Sequence, residues 1–98
     1  MGRGPFYTYF LTNRANTVIY TGVTNDIRRR LLQHRDRSNK GFTGRYQCHK
    51  LVYWEEHTTP EAAIKREKQL KAGPRKKKVD LINQANPDWK DLSEGWYD

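Results

Sequence analysis

Two aromatic and β-branched segments, split by a polar stretch and followed by a short basic helix, constrain this chain more than anything else in it. Phe6 to Leu11 reads Phe-Tyr-Thr-Tyr-Phe-Leu, and Thr17 to Val23 reads Thr-Val-Ile-Tyr-Thr-Gly-Val. Such residues fit a pleated, half-buried surface, so both segments read as strands. Thr12-Asn13-Arg14-Ala15-Asn16 between them is a polar turn, which makes the pair an antiparallel hairpin with a five-residue loop. Gly22, near the end of the second strand, marks a bend or a close approach to the backbone.

Thr24-Asn25-Asp26 offers several N-caps, and Ile27 to about Arg35 then reads as a helix. Asp36 to Gly41 has no apolar residue to continue that helix's stripe and reads as a loop. Lys50 to Glu55 is a third strand, ended by His57-Thr58-Thr59. Thr59 caps a second helix, with Pro60 at its first position, that runs to about Ala72 and is broken by Gly73-Pro74. Arg75 to about Gln84 is a shorter helix, Asn86-Pro87-Asp88-Trp89 a turn, and the tail to Asp98 covers the surface. The expectation is a small α+β protein: a three-stranded antiparallel sheet flanked by about three helices. A single domain spans residues 1–98, with its core from about 6 to 92.

A domain of this length buries a small core, to which the Tyr, Trp and Phe rings contribute large areas. Lys and Arg number 19 against 11 acids, a net charge of +8. That balance favours a polyanionic partner: nucleic acid first, an anionic membrane surface second. No stretch approaches the ~18 apolar residues of a spanning helix, so no membrane insertion is expected. The single Cys48 excludes an internal disulfide and fits a reducing compartment. Met1-Gly2-Arg3-Gly4-Pro5 leads into no signal-peptide pattern, so the expected location is cytoplasmic.

Polar residues stand on apolar stripes of both longer helices. Ile27, Arg30, Leu31 and His34 share one helix face, whereas Arg28 and Arg29 point away from it. Ala63, Ile64, Glu67, Leu70 and Lys71 form the stripe of the next helix, which aims Glu67 at the sheet. Burying a lone carboxylate is costly unless it is paired or binds a metal. Two phenols (Tyr9 and Tyr20), a guanidinium, an imidazole and one carboxylate are the parts of a metal-assisted phosphodiester hydrolase. Bland readings stand beside this one. Core packing also explains Tyr9 and Tyr20, and a structural ion pair explains Arg30 with Glu67. A helix C-terminal charge explains His34. A solvated face explains Arg75 to Lys78. Cys48, His49 and His57 lack a recognised zinc spacing.

These residues, in this order, resemble the GIY-YIG nuclease superfamily, and most of all its small, stand-alone bacterial single-domain branch. The likeness covers about Phe6 to Leu92. It rests on the hairpin, Gly22-Val23-Thr24-Asn25-Asp26, Arg30 through His34, Gly41-Phe42-Thr43, Leu51 to Glu55, Ala63 to Glu67, and Asn86-Pro87-Asp88-Trp89. The name-giving triplets fall on Tyr7-Thr8-Tyr9 and Tyr20-Thr21-Gly22, of which Tyr9, Tyr20 and Gly22 match.

The resemblance implies a catalytic set of Tyr9, Tyr20, Arg30, His34 and Glu67. Glu67 would hold one divalent ion, Mg²⁺ or Mn²⁺. Asn86 or Asn83 would be a late asparagine near the site. Gly22, Arg28, Arg29, Lys71, Arg75, Lys76, Lys77 and Lys78 would meet the nucleic acid. The implied activity is structure-selective hydrolysis of DNA, with RNA also open, in repair or processing. The substrate would be read by its shape, or targeting would come from a protein partner or from dimerisation, and the chain would be a monomer or weak dimer. The alternatives are a catalytically silent nucleic-acid-binding module acting with a partner, and a basic RNA-associated protein in which the Arg30–Glu67 pair is structural.

Overall fold

The computed structural model describes residues 5–36 and 41–97. Most of the anticipated Asp36–Gly41 loop, the four amino-terminal residues and Asp98 lie outside them. Three strands, β1 (Phe6–Thr12), β2 (Ile19–Thr24) and β3 (Lys50–His57), form one antiparallel sheet in the order β2-β1-β3. Four helices flank it: α1 (Ile27–Arg35), α2 (Phe42–Tyr46), α3 (Pro60–Ala72) and α4 (Arg75–Ala85). The fold is therefore the expected α+β arrangement with one additional short helix, α2. β3 also runs on to His57, two residues past the expected end.

Both anticipated caps form. The Asp26 side chain accepts from the Arg29 amide at 3.2 Å, and Thr59 accepts from the Ala62 amide at 3.2 Å. Each such bond satisfies an amide that the first helical turn leaves without a partner, worth about 1 kcal/mol. Gly73 caps the end of α3, and Pro74 starts α4.

The central strand β1 is buried on both faces, and the two cores lie on opposite sides of it. Tyr9 and Leu11 pack with Ile27 and Leu31 of α1, with Cys48 and Leu51, and with Leu92 and Trp96 of the tail. Phe10 and Val52 pack with Leu70 of α3 and Ile82 of α4. The tail does more than cover the surface. The Leu92 amide donates to the Leu51 carbonyl at 2.7 Å, Asp91 accepts from the Leu51 amide, and Arg35 ties the His49 carbonyl to Asp91 and Ser93.

The stripe expected on α3 is narrower than its sequence pattern. Ala63 and Leu70 are buried and Glu67 is half-buried, but Ile64 is 42% exposed. The buried line of α3 runs through positions i, i+4 and i+7, and Ile64 lies about a quarter-turn off it.

Candidate active site

Tyr9 sits in the middle of β1, fully buried. Its cross-strand partner on β2 is Gly22. Side chains of directly opposed residues project from the same face, so the Tyr9 ring would collide with any side chain at position 22. A Cβ on Gly22 would fall 2.5 Å from the Tyr9 hydroxyl and ring carbon Cζ and 2.8 Å from Cε2 of Tyr20. The close approach anticipated at Gly22 is thus the passage of Tyr9 over it, and glycine is the residue that leaves room.

The Tyr9 hydroxyl ends 2.8 Å from Nε2 of His34, which α1 presents one turn after Arg30. The other ring nitrogen, Nδ1, lies 2.7 Å from the Thr43 hydroxyl on α2. A neutral imidazole donates from one nitrogen and accepts at the other, so each tautomer satisfies both contacts. Tyr20 stands against the same imidazole, ring centroids 5.3 Å apart, and 6.3 Å from the Tyr9 ring. Arg30 interacts with both phenols, and these contacts raise its own pKa. Its guanidinium also donates to Gln33 Oε1 at 3.0 Å.

Burial sets the protonation states. Desolvation pushes the Tyr9 phenol well above its ordinary value, against the opposing pull of Arg30 and with added push from Tyr20 and Glu67. His34 is lowered to about 4, first by desolvation, then by the Arg30 and His49 charges. At neutral pH the pair is therefore a phenol beside a neutral imidazole, with a guanidinium at their edge.

Glu67 on α3 belongs to the same neighbourhood, since its charge acts on Tyr9. Its carboxylate accepts from Lys71 Nζ at 3.2 Å, one turn along the helix. The structural pair weighed for Glu67 was with Arg30; the ion pair it makes among the described residues is with Lys71.

The basic residues anticipated for nucleic-acid contact divide. Lys71, Arg75 and Lys78 lie close together, and burial followed by the Lys71 and Arg75 charges lowers the Lys78 pKa. Arg75 also donates to the Asn16 and Thr17 carbonyls of the hairpin loop. Lys76 is paired with Asp80 at 2.8 Å, and Lys77 is exposed. Arg28 lies over the Trp96 ring at 5.1 Å, while Arg29 is exposed on α1. Asn86 is not in the phenol cluster. Its amide nitrogen donates to the Val52 and Lys90 carbonyls and its oxygen accepts from the Lys90 amide, which closes the turn after α4. Asn83 accepts from the Trp89 indole at 2.7 Å. Thr43 has no counterpart in the expected set: it lies in a five-residue helix too short to show a periodic pattern.

The GIY-YIG catalytic domain profile matches residues 5–80. The chain belongs to the GIY-YIG family. It is 35% identical over 67 residues to a UPF0213 protein of Staphylococcus saprophyticus, covering 68% of this chain and 82% of that one. A UPF0213 protein of Haloquadratum walsbyi is 28% identical over 80 residues, covering 82% and 90%. In fold it is similar to a UPF0213 protein of Bacillus halodurans solved by solution NMR, with a TM-score of 0.57 and 24% identity over 94% of this chain and 98% of that one. The GIY-YIG assignment places the chain in a nuclease family whose substrate is nucleic acid. Among the described residues no helix is long and apolar enough to cross a membrane.

Proposed function

We propose that this protein is a metal-dependent endonuclease that hydrolyses DNA phosphodiester bonds in repair or processing, in the cytoplasm, and selects its target by structure more than by sequence. The observation that carries the reading is the chain Tyr9–His34–Thr43, run over Gly22 and edged by Arg30 and Glu67. A buried phenol hydrogen-bonded to a buried, neutral imidazole offers a proton path.

Among the described residues no three His, Cys, Asp or Glu gather at one point. A cation here would therefore be held by Glu67 together with water and substrate phosphate oxygens, a ligand set that suits Mg²⁺ or Mn²⁺. When bound, the ion supplies Lewis acidity to the scissile phosphate and leaving oxygen. The protein's own residues do the rest. The protonated Tyr9 holds the attacking water. It accepts the water's proton while its own passes to His34 Nε2, and His34 Nδ1–H donates to Thr43 throughout. Burial holds the His34 pKa down first and the Arg30 charge adds to it; substrate phosphate set against Arg30 offsets that second contribution, which makes the imidazole a better acceptor. Arg30 stabilises the hydroxide character that develops beside Tyr9 and the added negative charge of the pentacovalent transition state. Tyr20 fixes the imidazole plane. Lys71, Arg75 and Lys78, flanked by Lys76 and Lys77, grip phosphates without reading bases, as do Arg28 and Arg29 on the α1 side.

One contact favours a second reading. Lys71 neutralises Glu67, as it would in a nucleic-acid-binding module without turnover, targeted by a partner protein. Cleavage of single-stranded, duplex, flap and junction DNA with Mg²⁺ or Mn²⁺ separates the two. The nuclease reading expects metal-dependent cutting that a folded Glu67→Ala variant loses. Salt-sensitive binding by both proteins with no cutting of any form would establish the module instead.

A further inference from the structure

Beside the phenol cluster, α2 carries two aromatic rings that the proposed chemistry does not use. Phe42 is 47% and Tyr46 44% exposed. Four residues apart, they share one face of the helix, with ring centroids 4.7 Å from each other. Phe42 is also 5.7 Å from the ring of Tyr20. The exposed pair therefore continues the active site outward.

The surroundings of these rings are cationic. The Arg45 guanidinium lies 5.8 Å from the Tyr46 ring. Arg45 and Tyr46 form one wall of a cavity of about 810 Å³ whose other walls include Arg14, Arg35, Lys50 and Asp91. Asp91 is the lone carboxylate of that lining and is already paired with Arg35 at 3.2 Å. Arg14, Arg45 and Lys50 thus face the cavity without a carboxylate partner among the described residues.

We infer that Phe42 and Tyr46 form a stacking platform for unpaired bases next to the scissile phosphate, and that the cavity beyond them takes the phosphates of the same strand. Aromatic rings set along a basic groove are the general solution for holding single strands, since every base has a face to stack. Duplex bases are already stacked on their neighbours and offer no such face. The substrate is accordingly a single-stranded segment, free or branching from a duplex. This inference rests on the nuclease reading for the position of the scissile phosphate, but its test does not depend on cutting.

The test is binding in EDTA of one fluorescent oligonucleotide, as a single strand and as a blunt duplex, together with the same strand carrying 2-aminopurine. Wild type should prefer the single strand and quench the 2-aminopurine. Phe42→Ala with Tyr46→Ala should weaken single-strand binding by about tenfold or more, leave duplex binding unchanged and abolish the quenching. Tyr46→Trp, in a chain that keeps Phe42, should retain the quenching. Both rings are half exposed, so the variants should melt like wild type. Equal loss on single strand and duplex, no loss at all, or no quenching by wild type would each overturn the platform. Quenching by a wild type that cuts nothing with metal would keep the platform and remove the nuclease. Metal-dependent cutting by a double variant of unchanged affinity would do the reverse.

Discussion

Glu55 and Glu67 sit at nearly the same depth, with side chains 19% and 16% exposed, but their surroundings differ in kind. The Glu55 carboxylate accepts from Arg66 Nε at 2.8 Å and Nη2 at 2.9 Å and from the Tyr53 hydroxyl at 2.5 Å, with His57 3.7 Å away. Burial pushes the Glu55 carboxyl up, yet the bonds from Arg66 and Tyr53 outweigh it and the pKa falls below the usual range. That cluster fastens α3 to β3 and is complete without a ligand. Among the described residues Glu67 has one ammonium partner, on a Lys71 side chain that is 52% exposed. Depth therefore does not separate the carboxylate proposed to hold the ion from the structural one. The distinguishing property is how firmly its lone pairs are already committed.

The two tyrosines of these clusters give the largest contrast. Tyr9→Phe removes the hydroxyl that contacts His34 and that the proposed mechanism sets against the attacking water, and should slow single-turnover cleavage by about 10³-fold. Tyr53→Phe should leave that rate unchanged. Equal effects would mean that the two clusters do the same job.

Acid should separate them next. His34 has a folded pKa of about 4 against about 6.5 unfolded. The unfolded chain binds the extra proton first, so stability is lost as pH falls from about 6.5 to 4, by roughly 3 kcal/mol. Denaturant melts across that window should show the loss in wild type and a flatter profile in His34→Gln. The Glu55 contribution, from a lowered carboxyl, is present above the ordinary carboxylate range and is lost only at lower pH. A wild-type profile already flat between pH 6.5 and 4 would contradict the buried, neutral imidazole.

Smaller effects belong to the fastening side. Glu55→Gln keeps the shape but weakens the charge-assisted bonds from Arg66, and should cost about 1–2 kcal/mol at this half-buried site. Lys76→Ala breaks an exposed pair with Asp80 and should change stability by less than about 0.5 kcal/mol. Urea melts of both variants check the order.

Much of this contrast was legible in the chain, for definite reasons. Aromatic and β-branched residues outlined three strands, and Asp26 and Thr59 fixed two helix starts. The 3.6-residue period put Arg30 and His34 on a buried face and Glu67 on the side of α3 toward the sheet. Other features depended on tertiary placement. Thr43 became the partner of His34 through a helix of five residues, below the length at which a period is visible. Ile64 fits the apolar stripe of α3, but the buried line of that helix is too narrow to include it. Asn86 looked available for a site and is spent on three hydrogen bonds, two to Lys90 in its own turn and one to the Val52 carbonyl of β3. Glu55 gave no sign in sequence of the two hydrogen bonds it accepts from Arg66, because that pairing depends on how α3 lies along β3.

The most direct test of the account compares Glu67→Gln with Glu55→Gln, each shown to be folded, for metal-dependent cleavage of a DNA strand at neutral pH. The account predicts that Glu67→Gln melts like wild type and cuts nothing. It predicts that Glu55→Gln melts earlier and, at a temperature where it is folded, cuts at the wild-type rate. Cleavage surviving in Glu67→Gln, or lost equally in both variants, would contradict it.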